Sequence, residues 1–178
     1  MKLILARHAQ TNFNVLRLLN ADPTVDVHLS EEGIRQAESL ADQLRDVDYD
    51  VIYISEFPRT RQTAEIINKY HHKEFIVEPL LNDIASGFEN RPVQEWFDAI
   101  NATDDRFAAS INDGESINAA FARGARFIEE LKTKDYQSVL VITHGTMTQA
   151  IYGYIEGLPV SEAVEFDLTQ GTYATLEV

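Results

Sequence analysis

Short apolar runs alternate along the chain with longer segments in which apolar positions recur every three or four residues. Residues 2–6 read as a buried strand, because their interior is an unbroken Leu-Ile-Leu. Ser30 then caps a helix with Glu31 and Glu32 in its first turn and Ile34, Ala37, Ala41 and Leu44 at helical spacing. Residues 51–54 form a second apolar run, and Pro58 opens a helix whose expected inward stripe is Thr63, Ile66, Ile67 and Tyr70. A short third strand is expected over residues 75–77. Residues 79–91 show no clear period and read as a loop leading to a helix over residues 92–102. A long helix is expected over residues 115–132, where Ile117, Ala120, Phe121, Gly124, Phe127, Ile128 and Leu131 share one face. The most apolar strand, residues 138–143, precedes a helix over residues 146–155. Residues 164–168 and 172–178 read as a closing hairpin around Gln170-Gly171.

Strands alternating with helices predict an α/β protein, a three-layer α/β/α sandwich with a mainly parallel sheet. At 178 residues, one domain spanning 1–178 is expected, large enough to close a core around a cleft. Hydrophobic residues make up 44% and charged residues 25%, ordinary globular proportions. The formal net charge is −14, which opposes binding to nucleic acid or an anionic membrane. No cysteine is present, so thiolate nucleophiles, disulfides and cysteine-ligated metals are excluded together. The apolar stretch before Arg7 is too short for a signal peptide or a membrane span, and a cytoplasmic location is expected.

Three predicted strands end in residues suited to holding an anion. The first runs into Arg7-His8, the second into Ser55 and then Arg59, and the fourth into His144-Gly145. Carboxyl ends of parallel strands share one sheet edge, where ligands bind, so two histidines and two arginines should face a single crevice. His28, His71 and His72 lack that setting and read as structural or surface residues. A neutral imidazole is a nucleophile at pH 7, and guanidinium forks match phosphate oxygens, so the cluster suits phosphoryl transfer through nitrogen. Spacing alone does not rank His8 over His144 as the nucleophile.

The same residues carry a resemblance to a known family. Arg7-His8-Ala9-Gln10-Thr11-Asn12-Phe13-Asn14 resembles the opening signature of the histidine phosphatase superfamily, which includes the cofactor-dependent phosphoglycerate mutases. Leu29-Ser30-Glu31-Glu32-Gly33-Ile34-Arg35-Gln36-Ala37 is similar to its second element, and Ser55 through Arg59 to Thr63-Ala64 to its third. Gly114-Glu115-Ser116 and His144-Gly145 complete the order over nearly the whole chain. The resemblance implies a phosphoglycerate mutase-like fold in which His8 becomes phosphorylated. Arg7, Arg59 and His144 would hold the phosphoryl oxygens, with Asn14 and Gly145 lining the pocket.

The chain departs from the family pattern at two points: Ala9 follows the nucleophilic histidine in place of glycine, and Asp83 stands where this branch has the glutamate that serves as general acid. Glu89, six residues further on, is the competing acid, and Arg91 either reaches the far end of the substrate or pairs with a neighbouring carboxylate. Thr11 and Ser55 read as turn and positioning residues, and Glu115 as a helix-start acid. No metal site and no cofactor are implied.

The leading expectation is therefore a phosphatase for small phosphomonoesters, acting on a small phosphorylated metabolite. A mutase-type phosphotransferase and a non-catalytic phospholigand-binding module are the alternatives, and a homodimer is possible. The charge sharpens this picture. Residues 1–21 carry +3 and residues 57–73 carry +3, whereas residues 22–50 carry −7. The cationic segments are those that hold the candidate phosphate ligands, inside an acidic exterior that disfavours polyanions.

Overall fold

The computed structural model describes all 178 residues. Five strands, β1 (Lys2–Arg7), β2 (Val51–Ile54), β3 (Phe75–Val77), β4 (Ser138–Thr143) and β5 (Tyr173–Glu177), form one sheet in the order β3-β2-β4-β1-β5. The first four are mutually parallel, and only β5 runs antiparallel, along the edge of β1. The helices are α1 (Asn12–Leu16), α2 (Glu31–Leu44), α3 (Pro58–Ile67), α4 (Val93–Asn101), α5 (Ile117–Lys132), α6 (Gly145–Glu156) and α7 (Val160–Ala163).

Alternation along the strands divides the core. Leu3, Leu5, Val51, Tyr53, Val139 and Val141 pack on one face with residues of α4, α5 and α6, whereas Ile4, Ala6, Ile52, Ile54, Leu140 and Ile142 pack on the other with residues of α2 and α3. Both faces of the central strands are covered, which is why those strands are uniformly apolar. The expected three-layer arrangement is the one observed.

The expected closing hairpin is not formed. Residues 164–168 are not a strand, and β5 pairs with β1 instead. The carbonyls a hairpin would use are engaged elsewhere: Gln149 Nε2 donates to Val164 O at 2.7 Å and Arg7 Nη1 to Leu168 O at 3.0 Å. Phe166 stacks on Tyr152 with ring centroids 3.9 Å apart. The Gln170-Gly171 turn does exist, with Gly171 at φ 68°, and it leads the chain into β5 alongside β1.

Two stripe residues also differ from expectation. Ile34 and Tyr70 are exposed, and Arg59 and Thr60 take the inward positions of α3. The short helices α1 and α7 have no periodic signal. α1 is held by a capping box between Thr11 and Asn14, and its Val15 and Leu16 face outward.

Candidate active site

The register of the two central strands builds the site. Arg7 of β1 lies opposite Thr143 of β4, and the His8 N–H donates to Thr143 O at 2.9 Å, so both strands release their next residue, His8 and His144, at the same level. The two imidazoles lie edge to face with centroids 5.1 Å apart, and both are buried. His8 borders a cleft of about 630 Å³ that is also lined by Arg7, Asn14, Arg59, Asp83 and Gly145, whereas His144, fully buried, does not line it and lies behind His8 and Arg59. The sheet edge thus brings together His8, His144, Arg7, Arg59, Asn14, Asp83 and Gly145, and leaves out Glu89 and Arg91.

Hydrogen bonds fix the tautomer of each histidine. His8 Nδ1 lies 2.8 Å from Ala9 O, a pure acceptor, so Nδ1 carries the proton and the unshared pair is on Nε2. His144 is the reverse. Arg59 Nε donates to its Nδ1 at 3.2 Å, so Nε2 carries the proton and donates to Ser55 Oγ at 2.9 Å. Burial, followed by the charge of Arg59, holds the pKa of both rings well below 6.5, with a smaller push from Arg7. Both imidazoles are therefore neutral at pH 7.

The arginines differ in how far they are committed. Arg59 is buried on the inward face of α3 and uses its whole fork: besides His144, it donates to Asn20 Oδ1 at 3.0 Å, Asn20 O at 3.2 Å and Asp83 Oδ2 at 3.2 Å. Arg7 gives only Nη1 to the protein, to Leu168 O and more distantly to Asp167 at 3.9 Å, which leaves its Nε and Nη2 free. Gly145 sits close against that guanidinium: a Cβ there would stand 3.1 Å from Arg7 Nη2, a tight contact. Gly145 also opens α6; it and Thr146 line the cleft, and no side chain caps that first turn, so its N–H groups are available as anion donors. Asn14 Oδ1 accepts from Thr11 N–H and Oγ1–H, leaving its amide nitrogen as the free donor.

Of the two acid candidates, Asp83 is in the cleft. Its Oδ2 contacts Arg59 and lies 3.5 Å from His144 Nδ1. Glu89 lies outside the cleft lining and spends both carboxylate oxygens on Ala21 N–H, at 2.8 and 2.9 Å. It ties the segment after α1 to residues 90–93, a pairing completed by Leu19 with Arg91 and Arg17 with Val93. Arg91 pairs with Glu95, one turn along. Ala9 is fully buried with φ outside the left-handed region, so its methyl fits where the family pattern has glycine.

Sequence reasoning missed three contributors. Asn20 is buried under Arg59, and neither its spacing nor its surroundings distinguish it. Arg123 and Glu115 form an ion pair beneath the Asp83 loop, so Glu115 does more than favour a helix start. The outer cleft is walled by Phe13, Leu18, Val93, Trp96 and Phe97, residues whose side chains read as ordinary helix or loop apolar positions.

Comparison with known proteins agrees with this geometry. The profile of the histidine phosphatase superfamily (branch 1) matches residues 3–178, and the chain belongs to that family. Among its relatives, phosphoserine phosphatase 1 of Hydrogenobacter thermophilus is 29% identical, with 100% of this chain aligned to 87% of it. The alpha-ribazole phosphatase of Shigella flexneri superposes with a TM-score of 0.89 at 28% identity, over 100% of this chain and 91% of that one. A protein described as a probable phosphoglycerate mutase of Photorhabdus laumondii is 28% identical, but 89% of this chain aligns to only 76% of its length.

Proposed function

We propose that the chain hydrolyses small phosphorylated metabolites in two steps, through a phosphohistidine on His8, without a metal ion or organic cofactor. The observation that carries this reading is the 2.8 Å hydrogen bond from His8 Nδ1 to Ala9 O, in a cleft-lining ring beside two guanidinium groups. It holds a neutral imidazole with its electron pair on Nε2, the state a phosphoryl acceptor requires. Nε2 attacks phosphorus in line while the bond to the leaving oxygen breaks, and Asp83, having taken a proton from the bound phosphomonoester monoanion, passes it to that oxygen. Asp83 then takes a proton from water, the water oxygen attacks phosphorus, and the N–P bond returns its electron pair to Nε2.

The free nitrogens of Arg7, the first turn of α6 and the Asn14 amide suit the equatorial oxygens, where charge redistributes in the transition state. In the unliganded site the Asp83 carboxylate occupies Arg59 Nη2, and a phosphoryl group taking that position would release Asp83 toward the leaving oxygen. Relatives named phosphatases align over more of their length than the mutase-named one, which supports hydrolysis over isomerisation. A cytoplasmic setting belongs to this proposal.

His8→Ala tests it. Hydrolysis of an aryl phosphate in the presence of a chelator should fall by at least about 10³-fold, since no other group in the cleft offers an unshared nitrogen pair to phosphorus. Undiminished turnover would overturn the assignment.

A further inference from the structure

Four successive backbone carbonyls around the acid candidate are held by two side chains. Arg123 Nη1 donates to Leu80 O and to Asn82 O, each at 2.7 Å, and Arg123 Nη2 approaches Asp83 O at 3.4 Å. Thr143, the last residue of β4 before His144, donates its hydroxyl to Leu81 O at 2.7 Å. A loop has no ladder of its own to satisfy its carbonyls, so outside donors that take each of them in turn also fix its path.

Arg123 is itself held. Glu115 accepts from its Nε at 3.0 Å and from Nη2 at 2.8 Å, a bidentate pair in which both side chains are more than four-fifths buried. Gly114, the residue before, is pressed against the same loop. A Cβ there would fall 2.6 Å from Ala85 O and from the Ser86 carbonyl carbon, and the Glu115 N–H donates to Ala85 O at 2.6 Å. Ser116, the residue after, caps α5, the helix from which Arg123 projects. The Gly114-Glu115-Ser116 motif therefore has a physical task that none of its residues performs on substrate.

Given the reading of Asp83 as general acid, we infer that Arg123, held by Glu115, is a positioning residue that sets where the Asp83 carboxyl stands relative to the leaving oxygen. Arg123 is absent from the cleft lining and touches no group that reacts. Its removal should act on proton delivery and leave nucleophilic attack and phosphate binding largely intact. An acid displaced by about 1 Å loses on the order of 10²-fold. That loss appears only with leaving groups that need a proton.

The test compares Arg123→Met and Glu115→Gln with the parent protein, on an alkyl phosphate and on p-nitrophenyl phosphate, whose phenolate departs without protonation. Folding is checked by the fluorescence of Trp96, the only tryptophan in the chain. The expected result is a fall in kcat of about 10²-fold on the alkyl ester for Arg123→Met, against a few-fold on the aryl ester, with KM little changed. Glu115→Gln should fall between parent and Arg123→Met. In an Asp83→Asn background, Arg123→Met should add almost nothing on the alkyl ester, because the two act as one unit. Equal losses on both esters, or full additivity with Asp83→Asn, would overturn the positioning role. If Asp83→Asn alone shows no leaving-group dependence, the acid assignment itself fails.

Discussion

A carboxylate one methylene shorter than glutamate stands at position 83, yet it reaches both Arg59 and His144, because the loop carrying it is drawn in by Arg123 and Thr143. The reach of Asp83 depends on where its loop backbone is held, which sequence spacing does not encode. The family resemblance ranks Asp83 ahead of Glu89 as the acid, and what each side chain touches gives that ranking its physical reason. At the same scale, the two buried histidines make a pH prediction. Their pKa lies below 6.5 in the folded protein and near 6.5 unfolded, so the unfolded chain binds more protons as pH falls through that value. The stability contributed by the neutral rings is complete above about pH 6.5 and is lost as pH drops toward the folded pKa, by up to about 1.4 kcal/mol per pH unit for each ring. Imidazole NMR signals of His8 and His144 should stay in the neutral form at pH 6, with the denaturant midpoint lower at pH 5.5 than at pH 7.5. Titration of either ring near 6.5 would contradict the burial argument.

At the scale of elements, the β1-to-α2 connection depends on one close approach. A Cβ on Gly33, in the first turn of α2, would land on the Gln10 carbonyl oxygen, and that carbonyl also accepts from Ser30 N–H at 3.0 Å. The obstacle is backbone, so it cannot swing aside. Gly33→Ala should cost about 3 kcal/mol in chemical denaturation and lower activity as well, since the shifted segment carries Thr11 and Asn14. An unchanged midpoint would show that the helix docks less tightly than described. The strands and long helices were legible because burial on a sheet or along a stripe imposes periods of two and 3.6 on the sequence. The closing hairpin was misread for the complementary reason: residues 164–168 are apolar because Val164 and Phe166 pack against the core, and periodicity does not say which partner receives their carbonyls. Short α1 rests on a capping box and has no buried face, so no pattern announces it.

Over the whole molecule, parallel topology converts three separated sequence segments into one site. β1 and β4 are neighbours and β2 lies beside β4, so Arg7-His8, Ser55 with Arg59, and His144-Gly145 arrive at one edge. The convergence was predictable from strand ends alone, whereas the wall of Phe13, Val93, Trp96 and Phe97 depends on how α1 and α4 close over that edge. A net charge of −14 surrounds a cleft lined by two guanidinium ions, Arg7 and Arg59, and by the neutral His8, with the neutral His144 buried behind them. The field favours a small phosphomonoester that fits inside over a polyanion that must cross the exterior. The central claim is the covalent step at His8, and rapid quenching with a radiolabelled phosphomonoester tests it directly. The account predicts protein-bound phosphate that is labile to acid, stable to alkali, located on His8 and absent from His8→Ala. Turnover by the parent protein without any such label, or with the label on another residue, would contradict it.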